Sequence, residues 1–168
     1  MTLKQATLNG LEVEQVRKDA VEARENPENC AVSRKLHAEW VGGTRARVYS
    51  GDNEIFIGGE GDFGAMSVAL ASLLACEIDV LATAATDRRI EIQKLSIEGT
   101  GDFNYAKYVA GGKGPDPGYQ RVEYTVKIKS RNATMEQLED LAKLCETSSP
   151  VGDTFSRSVP TSLKLKLE

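Results

Sequence analysis

The chain has few cysteines, and they lie far apart. Its 168 residues include Cys30, Cys76 and Cys145, and none of the three belongs to a CxxC pair. An odd number of isolated cysteines is atypical of the disulfide framework of a secreted domain. We therefore expect reduced thiols and a cytoplasmic location.

Only one histidine is present, which excludes several kinds of site. His37 has no cysteine or histidine at ligand spacing, so a zinc site lacks its usual donors. A hydrolase of the Cys-His or Ser-His-Asp type would have to rely on this one residue. We predict that His37 is structural and that the protein binds no metal.

The sequence also lacks an excess of basic residues and a long uncharged run. The formal net charge is −4, with acidic and basic residues interspersed, so we expect neither nucleic acid nor a membrane surface as a partner. The longest uncharged run, 63–76, is shorter than the roughly 20 residues that span a bilayer. The first residues lack the apolar segment of a signal peptide. These features predict a soluble protein.

One glycine motif must be weighed as a cofactor site. Residues 59–64 match GxGxxG between a predicted strand and a predicted helix, which is the local context of a dinucleotide-binding turn. However, Glu60 and Asp62 place two negative charges where a pyrophosphate would bind, and the chain contains only one βαβ-like unit. We interpret the motif as a tight turn and predict no cofactor.

Length and composition suit a single domain over residues 1–168, because 40% of the residues are hydrophobic. Hydrophobic periodicity predicts six strands together with helices. In chain order we predict a helix that begins at a capping box of Asn9 and Glu12, strands at 35–41, 45–49 and 54–58, a long helix through Cys76, a strand at 89–98 with a bulge, a strand at 119–129, a helix that begins at a capping box of Thr134 and Gln137, and a strand at 159–167.

Two helices carry the thiols of interest. Cys76 lies in an alanine- and leucine-rich helix, where a thiol is usually inert packing. Cys145 shares a helical stripe with Leu138 and Leu141, so we expect it to face the core. Pro150 disfavours helical geometry at Ser149.

The glycine-rich segment 99–118 is too long for a hairpin loop, and we predict a lid or an interface loop there.

An ordered set of residues carries a family resemblance. Ala75-Cys76 lies in the long apolar helix, Trp40-Val-Gly-Gly43 precedes it in the strand meander, and Ser149-Pro-Val151 precedes the last predicted strand. Together they resemble the OsmC/Ohr family. The segments 9–14, 98–102 and 117–120 resemble a branch of that family in which residues 1–33 form an N-terminal helical extension.

The resemblance implies an α+β fold and a dimeric assembly. Proteins of this family have a six-stranded, mostly antiparallel sheet with two long central helices, and two protomers intertwine as a homodimer with shared active sites. The six strands predicted from periodicity agree with this architecture.

The resemblance also implies a chemistry. A cysteine at the position of Cys76 attacks an organic hydroperoxide, a second cysteine resolves the product, and an arginine with a glutamate activates the thiolate, which is the reactive species. Arg45 best matches the arginine, but Arg47 lies on the same face of its strand, so both stay candidates. The sulfenic acid formed on Cys76 must then meet a thiol reductant.

This chain departs from the family pattern at two positions. The glutamate falls on Met66 or Ser67, and Glu60 or Asp62 could substitute for it only by a different geometry. We expect Asp79, three residues after Cys76, either to oppose the thiolate or to replace that carboxylate as the partner of an arginine. Ser149 stands where the resolving cysteine is expected, and Cys145 lies one helical turn earlier. Such an offset either permits a disulfide after movement or forbids it.

Two functions follow as hypotheses. The first is a thiol-dependent peroxidase that reduces organic hydroperoxides through Cys76, with arginine activation and with Cys145 as the second thiol. The alternative is a non-catalytic homodimer of the same fold that binds a small apolar ligand at its interface, with Cys76 kept for packing.

Overall fold

The computed structural model describes residues 6–167, so the first five residues of the predicted N-terminal extension lie outside the described part. The mixture of helices and antiparallel strands confirms the predicted α+β class. In chain order the elements are β1 (Thr7–Leu8), β2 (Leu11–Glu12), α1 (Val13–Glu25), a 3-10 helix (Pro27–Cys30), β3 (His37–Gly42), β4 (Arg45–Ser50), β5 (Asn53–Ile57), α2 (Ala65–Asp87), β6 (Ile92–Phe103), α3 (Ala106–Val109), β7 (Tyr119–Ser130), α4 (Met135–Ser148) and α5 (Pro150–Ser156).

The strands form three separate antiparallel sheets within one chain, not one sheet of six strands. β1 pairs with β2, the meander β3-β4-β5 forms the second sheet, and β6 pairs with β7 along almost their whole length. β3 and β5 are exposed on both faces for most of their length. The meander therefore lacks the covering layer that an antiparallel sheet normally has on at least one face.

The predicted final strand is not formed. Residues 159–167 are exposed and carry no strand assignment, although Leu163, Leu165 and Leu167 alternate as expected. A strand exists only where a neighbouring strand supplies hydrogen-bond partners, and within residues 6–167 no strand lies beside this segment. The prediction is therefore wrong for the single chain.

The predicted capping box at Asn9 is also wrong, because α1 begins only at Val13. Asn9 has a positive φ of 53°. Its amide group donates to Thr86 Oγ1 at 3.1 Å and to the carbonyl of Ile90 at 2.9 Å, and its Oδ1 accepts from the Ile92 amide at 2.9 Å. The side chain thus joins the N-terminal hairpin to the end of α2 and the start of β6.

The core lies where α2 packs on the β6-β7 sheet and on α4. Its fully packed members are Leu81, Ala85, Ile90, Leu141 and Cys145. The inward orientation of Cys145 and the capping box of Thr134 and Gln137 are confirmed. The bulge is confirmed as well, because the β6-β7 register shifts between Ile92 and Lys94.

Part of the predicted loop 99–118 is strand, since β6 continues to Phe103. Gly99 and Gly101, both in β6, permit close packing: a Cβ on Gly99 would lie 2.9 Å from the Leu74 side chain, and one on Gly101 would collide with the Tyr119 ring. Glycine in a strand marks such close approaches. The remainder of the segment contains the short helix α3.

Among the described residues, α2 alone is long and apolar enough to span a membrane by length and composition. Core helices of soluble proteins meet the same criterion. α2 packs against β6, α4, α5 and α1, and it contains Glu77 and Asp79 near its middle. These contacts bury one stripe of α2 against the rest of the chain.

Replacement of Asn9 tests the link between the N-terminal hairpin and the core. Asn9→Gly removes three partly buried hydrogen bonds but tolerates the positive φ, and we expect it to lower the free energy of unfolding by about 2 kcal/mol. Asn9→Ala adds backbone strain of about 1 kcal/mol. Urea unfolding measures both changes. Losses below about 0.5 kcal/mol, the usual range of surface substitutions, would contradict this role.

Candidate functional site

Cys76 lies near the middle of α2 and is partly exposed. Its Sγ accepts a hydrogen bond from the Ser149 hydroxyl across 3.4 Å. The Ser149 oxygen in turn accepts from the Gly152 amide at 3.0 Å. Because the Gly152 amide occupies a lone pair of this oxygen, the hydroxyl proton is free to point at the sulfur. Ser149 is only 4% exposed, so this donor is held in a nearly dry environment.

The helix boundary between α4 and α5 explains the position of Ser149. α4 ends at Ser148, and Pro150 is the first residue of α5. A residue before proline is pushed out of the helical region, and Ser149 has extended backbone angles (φ −78°, ψ 115°), as predicted from the sequence. The side chain at this break caps α5 and reaches α2; α5 itself was not predicted.

Cys145 lies in the core, beside Glu77 of α2. It is 3% exposed. Burial, and then the nearby Glu77 carboxyl group, raise the pKa of the Cys145 thiol to about 12. At neutral pH this thiol carries its proton almost completely, whereas a nucleophilic cysteine must be a thiolate. The structure therefore places Cys145 in the core as a thiol of low reactivity.

Glu77 is the residue of this region that sequence analysis missed. It is fully buried, and neither carboxyl oxygen has a hydrogen-bond partner among residues 6–167. Its Oε1 lies 3.3 Å from the position that a Cβ on Gly152 would occupy. The signal was present, because Leu73, Glu77 and Leu81 follow at i, i+4 and i+8 along one buried stripe.

Arg45 forms an ion pair with Asp62, one of the two acidic residues of the glycine-rich turn. Arg45 Nε lies 2.7 Å from Asp62 Oδ2, and the guanidinium carbon lies 4.2 Å from the centre of the Phe56 ring. The hydrogen bond from Arg45 holds the pKa of Asp62 below its ordinary value. Hydrogen bonds from Gly58 to Phe63 and from Asp62 to Gly59 confirm the segment as a tight turn.

Arg47 and Asp79 take no part in the ion pair between Arg45 and Asp62. Arg47 pairs with Glu54 at 2.7 Å and with Glu39 at 3.8 Å on the exposed meander. Asp79 lines a groove formed by α1, α2 and α4. Within the described chain neither arginine pairs with Asp79, so the interpretation of Asp79 as the carboxylate that orients an arginine is wrong for contacts inside one protomer.

A cavity of about 410 Å³ lies beside Cys145, between β7, α4 and α5. The Tyr119 and Phe155 rings stack 6.0 Å apart at its wall. Burial and the charge of Glu77 raise the pKa of Tyr124, also at the wall, to about 12. The remaining lining residues are Leu73, Gln120, Arg121, Val122, Cys145, Glu146, Gly152 and Ser156. Such a lining suits an apolar group with a polar end.

Metal-ligating side chains do not cluster in the part of the chain that the structure describes. Within residues 6–167 no group of three or more histidine, cysteine, aspartate or glutamate side chains is close enough to hold a metal ion. Near Cys76 the structure places the Ser149 hydroxyl, and the adjacent Glu77 lies beside Cys145.

Comparisons with known proteins agree with this architecture. The family model described as "OsmC-like protein" matches residues 58–164, which include Cys76, Cys145 and Ser149 but not Arg45. An OsmC-like protein from Mycoplasma pneumoniae is 18% identical with a TM-score of 0.63, and the alignment covers 74% of this chain and 88% of that one. No curated protein matches the chain.

Two further solved structures have the same fold at lower similarity. An OsmC-like hydroperoxide resistance protein from Jannaschia sp. CCS1 is 15% identical with a TM-score of 0.51, covering 77% of this chain and 89% of that one. An organic hydroperoxide resistance protein from Legionella pneumophila is 15% identical with a TM-score of 0.52, covering 74% and 91%.

The two raised pKa values predict a loss of stability at high pH. Folding raises the pKa of Cys145 from 9.0, and that of Tyr124 from 10.0, to about 12. Between these values the unfolded chain releases protons that the folded chain keeps. The free energy of unfolding is therefore expected to keep this contribution in full below about pH 9 and to fall as the pH rises towards 12.

Urea unfolding over this pH range, in the presence of a reductant, measures the effect. Cys145→Ala and Tyr124→Phe each remove one of the two groups, so each variant should lose stability less steeply with pH. A double variant that falls as steeply as the wild type would show that other groups are responsible.

Proposed function

We propose a function for this chain, which belongs to the OsmC-like protein family. It is a thiol-dependent peroxidase, and it reduces organic hydroperoxides through Cys76. The observation that carries the proposal is a partly exposed thiol whose sulfur accepts a hydrogen bond from a buried hydroxyl. The hydroperoxide resistance proteins from Jannaschia and Legionella, which share the fold, support the choice of substrate.

The reaction is a two-electron reduction. The Cys76 thiolate attacks the terminal oxygen of the hydroperoxide, the O–O bond breaks, and the alkoxide leaves as an alcohol after it takes up a proton. Cys76 becomes a sulfenic acid. The Ser149 hydroxyl favours the first step, because a hydrogen bond to the charged form of an acid stabilises that form.

Arg45 is proposed as the activating cation. Its partner Asp62 lies in the turn that leads into α2, whereas Arg47 pairs with Glu54 on the open meander. Asp62 would thus perform the role of the glutamate missing at Met66 or Ser67, by fixing the guanidinium group. Asp79 would act only as a nearby negative charge that opposes the thiolate.

A non-catalytic protein that binds a small apolar ligand is the second candidate. The cavity of about 410 Å³ with its aromatic wall favours it. The two functions differ in one measurable respect: only the peroxidase consumes hydroperoxide in proportion to a thiol reductant.

The protein is further proposed to be a homodimer in the cytoplasm. Trp40 is 78% exposed on the open meander, and Leu163 is 91% exposed on the unpaired C-terminal segment. A second copy would cover the meander and supply the strand neighbour that residues 159–167 lack. Burial of these apolar groups is the driving force expected for a permanent dimer.

Consumption of cumene hydroperoxide with a thiol reductant tests the peroxidase. We expect Cys76→Ser to abolish turnover, and Arg45→Met to lower kcat/KM by roughly 100-fold, since it removes a charge that stabilises the thiolate. Arg47→Met is the matched control, from the same strand face, and should stay within about threefold of wild type. Equal losses in both arginine variants would contradict the assignment of Arg45, and full activity of Cys76→Ser would end the peroxidase proposal.

Light scattering tests the dimer. Leu163→Lys with Leu165→Lys places two charges on the apolar face of the C-terminal segment, and we expect monomers at micromolar concentration. Lys164→Ala with Lys166→Ala changes the opposite face of the same segment and should leave the dimer intact. A monomeric wild-type protein, or a dimer that survives both pairs of substitutions, would argue against this assembly.

A further inference from the structure

The group that faces the Cys76 sulfur is a hydroxyl. Ser149 Oγ lies 3.4 Å from Cys76 Sγ and is fixed by the Gly152 amide. A hydroxyl can donate a hydrogen bond to the sulfur, but it cannot form a disulfide with it. Ser149 can therefore orient the Cys76 sulfur, but it supplies no second thiol.

Cys145 is the cysteine nearest in sequence to Ser149, and its surroundings are unfavourable for a reaction with Cys76. Successive residues on a helix point about 100° apart, so Cys76 and Glu77 leave α2 in different directions. The Ser149 hydroxyl donates to Cys76, whereas Cys145 lies beside the Glu77 carboxyl group. To reach Cys76, the Cys145 thiol would have to leave the core cluster that it forms with Leu81 and Leu141.

Cys145 is also a poor nucleophile where it lies. It is 3% exposed, and its pKa is raised to about 12 by burial and by Glu77. Exchange requires a thiolate as the attacking group. The third cysteine, Cys30, is exposed and ends the 3-10 helix, which packs on α1.

We propose that oxidised Cys76 is reduced by a low-molecular-weight thiol from solution and not by a second cysteine of this chain; the proposal rests on the peroxidase function argued above. Cys76 is partly exposed, so a small thiol can approach it. The thiolate of that molecule attacks the sulfenic sulfur, an S–S bond forms, and the hydroxyl leaves as water after it takes up a proton.

A second thiol group completes the cycle. It attacks the sulfur of the small molecule in the mixed disulfide, and Cys76 leaves as a thiolate. Two thiols are thereby oxidised to one disulfide for each hydroperoxide reduced, which balances the electrons. With a monothiol the second group comes from another molecule, and with a dithiol it comes from the same one.

Disulfide exchange tests this inference without any peroxide. In a Cys30→Ser background, dithiobisnitrobenzoate reacts with Cys76 and releases one thionitrobenzoate per chain. We expect the mixed disulfide on Cys76 to persist, with one equivalent released. An internal cysteine able to resolve it would displace a second equivalent and leave a Cys76–Cys145 disulfide, found by peptide mass mapping, and this result would overturn the proposal.

Ser149→Cys, in the same background, is the matched gain-of-function variant. It places a thiol where the hydroxyl now faces Cys76, so a twofold release is expected, with a disulfide between positions 76 and 149. A Cys145→Ala variant should release one equivalent, as the background does. A loss of exchange in that variant would overturn the proposal.

Turnover distinguishes the source of the thiol and separates this inference from the proposed function. With cumene hydroperoxide, 2-mercaptoethanol and dithiothreitol should both sustain turnover in Cys145→Ala at wild-type rates, and a faster rate with dithiothreitol at equal thiol concentration indicates a dithiol. Turnover that is lost in Cys145→Ala overturns the inference alone. An absence of turnover in the wild-type protein would contradict the proposed peroxidase function. The disulfide exchange experiment would still show whether Cys145 can form a disulfide with Cys76.

Discussion

Burial of one face of α2 is the constraint on which the other features depend. The stripe of Leu73, Glu77, Leu81 and Ala85 packs against the β6-β7 sheet and α4. Once this stripe is buried, the neighbouring position, Cys76, must leave the helix at an angle of about 100° from Glu77. The same packing that removes Glu77 from water thus keeps Cys76 partly accessible. Among residues 6–167 the buried Glu77 carboxyl group finds no hydrogen-bond partner, which lowers the stability of the fold.

A single helix break determines what meets the reactive thiol. Pro150 ends α4 and begins α5, and the extended residue before it turns the Ser149 side chain towards α2. A continuous helix would have kept positions 145 and 149 on one face. The break separates them, so Cys145 stays in the core while Ser149 contacts Cys76. The backbone geometry that Pro150 imposes therefore decides which side chain contacts the Cys76 sulfur.

The uncovered surfaces of the single chain share one feature, which is that apolar side chains on them remain in water. The meander β3-β4-β5 has two exposed faces, and residues 159–167 alternate like a strand without a neighbour to pair with. Apolar groups such as Trp40 and Leu163 remain in water as a result. The Arg45-Asp62 pair is the polar link between this meander and the turn before α2. The cation proposed for catalysis therefore lies on the part of the chain that the proposed dimer would cover.

Local sequence patterns were enough to predict the long helix through Cys76, the bulged strand, the tight turn at 59–64 and the non-helical geometry of Ser149. Each of these depends on periodicity, capping or a proline, which act over a few residues. Three contacts depend on the tertiary structure: Arg45 pairs with Asp62 and not with Asp79, Asn9 binds the end of α2, and Cys145 lies beside Glu77. These contacts join residues distant in sequence, and their partners depend on how α2, α4 and the sheets pack. Leu163 shows the same limit, because its alternating pattern predicts a strand that forms only beside another strand.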